Sequence, residues 1–166
     1  MIKSAIFALA ALAALTGCKE EALSSGRIAP EIAALDASGA SVRLADAKGK
    51  AVLVSFWFTG CGPCAAELPV LDAFVRTHGA ENVAILPINM LDTDDTIRAT
   101  FRRLDVENLP HLRDSVRITT RRYAVTGAPA NFLIDRDGVL VERIDGPLTQ
   151  AALESKLLPL ARKKAF

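Results

Sequence analysis

The sequence is poor in the side chains that staple small folds or bind metals: 166 residues hold three Cys and two His, with aromatics at 5%. Three cysteines are too few for a disulfide-stapled miniprotein. Lys+Arg number 20 against 19 Asp+Glu, a formal charge of +1, so the electrostatic footprint of a nucleic-acid binder is missing. The longest leading apolar run, Ala5 to Leu15, is 11 residues, whereas a membrane-spanning helix needs about 20. Internal repeats and low-complexity segments are also lacking. What is present is 51% hydrophobic and 23% charged residues, a balance that excludes a disordered or collagen-like chain. The length suits one domain of ordinary size.

Residues 1–17 read as an address. Lys3 supplies a positive start, and the Ala5–Leu15 run has the length of a signal-peptide core. It ends in Leu15-Thr16-Gly17-Cys18, which resembles the lipobox of bacterial lipoproteins. That resemblance implies cleavage before Cys18, a lipid on its sulfur, and anchoring to a bacterial membrane on the extracytoplasmic (periplasmic) side. The alternative is an ordinary cleaved signal with a chance cysteine. Residues 18–27 are polar and small and read as a tether, leaving 28–166 as the folded domain.

Within that domain, Ile32–Leu35 and Ser41–Leu44 flank the turn signal Asp36-Ala37-Ser38-Gly39, predicting an N-terminal hairpin. Ala51–Phe58 is a continuous apolar run, as in a strand buried on both faces. A helix is expected next, with Leu68, Leu71, Phe74 and Val75 on one stripe, Pro69 inside it producing a kink by removing one hydrogen bond, and Gly79 at its stop. Val83–Ile88 predicts a second buried strand ending near Pro87. Asp92 or Thr93 can cap a helix bearing Ile97, Phe101 and Leu104. Arg113, Arg117 and Arg121 recur every four residues, predicting one basic helical stripe that is chiefly a solvated face. Asn131–Asp135 and Val139–Ile144 flank a turn and predict a hairpin, and a last helix starts near Gln150. Early strand–helix alternation followed by an antiparallel hairpin points to an α/β fold, a mixed sheet covered on both faces.

The chemistry sits at the end of the first buried strand, where Cys61-Gly62-Pro63-Cys64 opens the predicted helix. A thiol at a helix N-terminus meets unpaired N–H groups and the positive end of the macrodipole, which favour the thiolate. Such settings lower a cysteine pKa from about 8.5 toward roughly 3.5–7.5. Cys64, one turn further in, is expected to be less exposed and placed to resolve a mixed disulfide on Cys61. Structural zinc needs four ligands. There is no second CxxC, and His78 and His111 do not pair at ligand spacing, so no metal site is expected. An inert structural cystine is the other reading.

Trp57-Phe58-Thr59-Gly60-Cys61-Gly62-Pro63-Cys64-Ala65-Ala66-Glu67-Leu68-Pro69 resembles the active-site segment of the thioredoxin superfamily. It is most similar to the membrane-tethered TlpA/ResA-like thiol–disulfide oxidoreductases, which share the added N-terminal hairpin and the positions of Glu67 and Pro69. Val125-Thr126-Gly127-Ala128-Pro129 matches the second family signature. The resemblance covers Ala29 to the C-terminus. It implies a thioredoxin-like fold with Cys61 as nucleophile, Cys64 as resolving thiol, Pro129 as a cis-proline facing them, and Ala128 pairing its backbone with substrate. It implies no cofactor beyond the redox-active Cys61–Cys64 pair. The implied partners are disulfide-containing envelope proteins, with apocytochrome c and a copper-site assembly protein among the open targets, and an upstream membrane thiol reductase.

Glu67 lies three residues past Cys64, close enough on a helix to take its proton if burial raises the carboxyl pKa. The plainer alternative is a solvated surface Glu. Thioredoxin itself carries an Asp six residues before the first cysteine. Here that residue is Ser55, which cannot act as a carboxylate base, so proton handling falls to Glu67 or water. Trp57 and Phe58 are expected to form an apolar shoulder around Cys61, with Trp57 contributing to substrate binding besides packing. The rival functions are a disulfide oxidase or isomerase, and a copper-handling module using both thiols as soft ligands. A peroxiredoxin-like site needs a Pro-x-x-x-Thr/Ser-x-x-Cys approach, which Phe56–Cys61 does not supply.

Overall fold

The computed structural model describes residues 23–79 and 81–162. The leader, Cys18 and the first part of the tether lie outside the described residues. Seven strands form one mixed sheet: β1 (Ala34–Leu35), β2 (Ser41–Val42), β3 (Ala51–Trp57), β4 (Val83–Asn89), β5 (Leu112–Arg113), β6 (Ala130–Ile134) and β7 (Leu140–Asp145). Their spatial order is β2-β1-β5-β4-β3-β6-β7. β3, β4 and β5 run parallel, and every other pairing is antiparallel. The helices are α1 (Gly62–His78), α2 (Asp94–Arg103), α3 (Ile118–Arg122) and α4 (Gln150–Arg162). Among the described residues no helix is long and apolar enough to cross a membrane.

β3 lies inside the sheet between β4 and β6, and all seven of its residues are buried. Side chains alternate across a strand, so Leu53 and Trp57 join a core with α1, α2 and α4 residues such as Leu68, Phe101 and Leu157. Val52, Val54 and Phe56 join a second core around Tyr123, Phe132 and Ile32. Ser55 shares the parity of Leu53 and Trp57, which turns it toward α1. A sheet with a core on each face explains the unbroken apolar run that the sequence shows.

The N-terminal hairpin is present but short, two residues per strand. Asp36 accepts from the Ser38 and Ala40 N–H groups to make its turn. Glu31 accepts from the N–H groups of Leu44 and Ala45, which diverts the second strand into a 3-10 turn over Leu44–Ala47. The last part of the expected tether is bonded: the Gly26 N–H donates to the Leu140 carbonyl, and the Leu140 N–H to Arg27.

One strand end lies slightly further along than expected, and one expectation needs correction. β4 runs through Pro87 to Asn89, because β5 joins β4 only from Ile88 onward and the proline stands where that second side is unpaired. The arginines do not form one stripe. Arg113 is on β5, Arg117 has φ +58°, and only Arg121 lies in the five-residue α3. Asp114 accepts from the Thr120 N–H at 2.6 Å and its hydroxyl at 2.7 Å, folding the segment into a turn before α3 starts. α2 follows the sequence reading, with Thr93 as its cap accepting from the Thr96 N–H.

Candidate active site

The site forms where β3 ends. Gly60, at φ +90°, makes the left-handed step that side chains disfavour, and Cys61 then caps α1. The Cys61 Sγ accepts from the Cys64 N–H at 3.2 Å, a helix-end donor directed at the sulfur. Pro63 fills the first turn, where its missing N–H costs nothing. α1 continues unbroken through Pro69 and stops at Gly79, where a Cβ would lie 2.6 Å from the Val75 carbonyl oxygen.

Cys61 and Cys64 are joined by a disulfide, their Cα atoms 5.2 Å apart. Cys61 is 7% exposed and Cys64 1%, so Cys61 is the more accessible residue of the pair. Across from it, the Ala128 carbonyl oxygen lies 3.6 Å from the Cys61 Sγ. The Ala128–Pro129 peptide bond is cis. Pro63, Gly127, Ala128, Pro129 and Gly146 line a cleft of about 440 Å³ beside the pair.

Glu67 is not a surface residue: it is 2% exposed. Its Oε1 accepts from Asn131 Nδ2 at 2.8 Å and the Leu148 N–H at 2.7 Å, and its Oε2 from the Ser55 hydroxyl at 3.4 Å. Burial pushes its carboxyl pKa above the ordinary value; the bonds from Leu148, Asn131 and Ser55 pull the other way and are outweighed.

Trp57 packs in the core with Cys61, as expected, but its burial does not fit the expected contribution to substrate binding. It is 1% exposed and stacked on Phe101 with ring centroids 5.5 Å apart, so it backs the site as core and offers no face to a substrate. Phe58 is the partly buried residue of the shoulder. His78 bonds to Glu81 at 2.8 Å and His111 packs on Phe101. Among the described residues no group of His, Cys, Asp and Glu could hold a metal ion.

Sequence reasoning missed Asn131. Its signal was a single polar residue opening the apolar run of β6, fully buried in the fold. It also missed Asp92, which serves the site rather than capping α2. Asp92 Oδ2 accepts from the Thr59 N–H and from Asn89 Nδ2, each at 2.7 Å.

Comparison with known proteins agrees with this geometry. Residues 25–143 match the AhpC/TSA family. The chain is 32% identical over 139 residues to the thiol–disulfide oxidoreductase ResA of Bacillus thuringiensis subsp. konkukian, spanning 84% of this chain and 80% of that one. Among solved structures, a thiol:disulfide interchange protein from Bacteroides sp. superposes with a TM-score of 0.65 at 30% identity, covering 73% of this chain and 81% of the other. The pneumococcal exposed lipoprotein thioredoxin of Streptococcus pneumoniae gives 0.69 at 27% identity, covering 79% of this chain and all of that one. With a thioredoxin-like sheet, a CxxC disulfide at a helix N-terminus and these relatives, the chain belongs to the AhpC/TSA family and is a thiol–disulfide oxidoreductase of the ResA type.

Proposed function

We propose that the protein is a lipid-anchored, extracytoplasmic reductant of disulfides in envelope proteins. The observation that carries this is the asymmetry of the pair: Cys61 is the more exposed sulfur, caps α1, and faces the Ala128 carbonyl across the cleft. In the reduced protein, the Cys61 thiolate attacks one sulfur of a target disulfide. A Cys61–target bond forms and the second target sulfur leaves as a thiolate. Cys64 then attacks the Cys61 sulfur, restoring the Cys61–Cys64 bond and releasing the first target sulfur. Glu67, buried one turn along α1 from Cys64, accepts the Cys64 proton in that step. A membrane thiol reductase returns the two electrons. Ala128 and Pro129 line the cleft that would take the extended target backbone.

The reducing direction is supported by the Gly-Pro spacer, which reducing thioredoxins share. The anchor is supported by Cys18 in its lipobox-like setting, and the pneumococcal structural neighbour is itself described as an exposed lipoprotein. Apocytochrome c and a copper-site assembly protein are the target classes to try first. Cys64→Ser is expected to trap covalent target complexes that Cys61→Ser does not form, and a Cys64→Ser protein that traps none would overturn the mechanism. Equilibration with glutathione is expected to give a potential near that of thioredoxin, about −270 mV, and a value near −120 mV would reverse the direction.

A further inference from the structure

Glu67 is held by a buried frame drawn from three parts of the chain. Ser55 comes from β3, Asn131 from β6, and the Leu148 N–H from the loop between β7 and α4. Ser55 and Asn131 are fully buried and Glu67 nearly so. The two oxygens of Glu67 are treated unequally: Oε1 accepts two short bonds, at 2.8 and 2.7 Å, while Oε2 has one contact, at 3.4 Å. An oxygen with two donors on it has little acceptor capacity left, whereas its neighbour keeps most of its own.

Asn131 has a double role in this frame. One N–H of its amide goes to Glu67 and the other to the Gly146 carbonyl at 3.0 Å. It thus fixes the carboxylate directly, and it ties down the loop that supplies the second donor, Leu148. The amide cannot be turned over without setting its oxygen against two acceptors.

We propose that Asn131 is a positioning residue for the resolving half of the exchange: with the Leu148 N–H it occupies Oε1 of Glu67 and so leaves Oε2 as the oxygen that takes the Cys64 proton. This rests on the proton role of Glu67 proposed above. The step balances. The Cys64 proton moves to Oε2 while its sulfur bonds to Cys61; the Cys61–target bond breaks and its electron pair leaves on the target sulfur. Glu67 returns the proton to that thiolate or to water. The groups meeting Glu67 are Ser55 on β3, Asn131 on β6 and the Leu148 N–H ahead of α4, and on its own helix the titratable neighbour is Cys64. None of these partners is a charged side chain, so hydrogen bonds are the lever that offsets burial. Without the Asn131 donor the carboxyl keeps its proton to higher pH.

The test compares the full chain with its Asn131→Ala and Glu67→Gln variants in rapid mixing with a disulfide-bonded model peptide, following the resolving rate from about pH 4 to 9. For Asn131→Ala the acid limb is expected to move to higher pH: resolution slows by about fivefold near pH 5 and stays within about twofold above pH 8. Glu67→Gln is expected to lose the limb. Carbon-13 titration of the Glu67 carboxyl gives the same shift without turnover, and Asn131→Ser serves if the alanine variant does not fold. If Glu67→Gln loses the limb but neither the rate profile nor the carboxyl titration moves on removing Asn131, the positioning role fails while the proton role stands. If Glu67→Gln keeps the limb, the proton role fails and this inference with it.

Discussion

The hydroxyl of Ser55 lies 3.4 Å from Oε2 of Glu67, both side chains buried beneath the disulfide-bearing end of α1. The strand residue that lacks a carboxylate therefore meets a carboxylate carried by the helix. Ser55 points to α1 because it shares the parity of Leu53 and Trp57 on β3. Glu67 points to β3 because it lies one residue before Leu68, on the buried side of α1. In this chain the buried acid near the thiols comes from α1, and the strand supplies a hydroxyl that bonds to it.

That placement has a cost in stability. Burial raises the Glu67 pKa in the folded protein above its ordinary 4.5. Below about pH 4.5 both folded and unfolded chains hold the proton and nothing is lost; as pH rises through the folded value, the unfolded chain is favoured. Glu67→Gln keeps an oxygen for Asn131 and Leu148 and gives Ser55 a donor. Denaturant titration is expected to find it about 1 kcal/mol more stable than the parent near pH 8 and equal to it near pH 4. A variant that is less stable at both pH values would show that the ionised carboxylate is fully compensated.

The exposure difference within the pair predicts alkylation selectivity. In the disulfide form Cys61 caps α1 with the Cys64 N–H directed at its sulfur, while Cys64 is only 1% exposed, and reduction is expected to preserve this difference. Substoichiometric iodoacetamide should label Cys61 at least about tenfold more than Cys64. Peptide mass spectrometry reads the ratio, and equal labelling would remove the asymmetry on which the assignment of nucleophile and resolving thiol depends.

Much of this was legible because local signals and tertiary placement agree. The Ala51–Phe58 run, the CGPC spacing and the late hairpin each carry their own physical cause and fall where that cause puts them, whereas the Gly-Ala-Pro run was legible only through its resemblance to the family. The arginines failed because a four-residue period says nothing about whether a helix exists, and Asp114 instead captures the Thr120 N–H and hydroxyl and breaks the segment. Trp57 failed as a recognition residue because position next to a motif does not give exposure: strand parity sends it inward onto Phe101. Asn131 and Asp92 were invisible in their roles because their partners are 64 and 33 residues away, and no short-range pattern marks such pairs.

Packing around Trp57 is expected to matter to stability more than to chemistry. Phe101 is 2% exposed, stacks on Trp57 and carries His111 against its edge. Phe101→Ala should lower unfolding free energy by about 3–5 kcal/mol. The folded fraction should still reduce a model disulfide within about threefold of the parent rate, because the cleft at Ala128 and Pro129 is lined from another part of the chain. Activity normalised to folded protein by circular dichroism distinguishes this from a direct role in binding.

Asp92 allows charge and geometry to be separated. The two donors it receives, the Thr59 N–H and Asn89 Nδ2, converge on the same oxygen, each at 2.7 Å. Asn89 in turn accepts from the N–H groups of Leu91 and Asp92, so the loop after β4 is locked and then grips the loop that leads into Cys61. An asparagine at 92 retains one carbonyl oxygen, which is enough for both donors, so Asp92→Asn should stay within about 0.5 kcal/mol of the parent and retain its exchange rate. Asp92→Ala leaves the half-buried Thr59 N–H without its acceptor and frees the approach to Cys61, at a cost of about 1–3 kcal/mol. Its exchange rate should fall by about tenfold, because the nucleophile is no longer held in place. If the alanine variant loses stability but not rate, the grip on Thr59 supports the fold alone. If the asparagine variant loses rate as well, then the charge itself, and not the pair of hydrogen bonds, is what the site needs from Asp92.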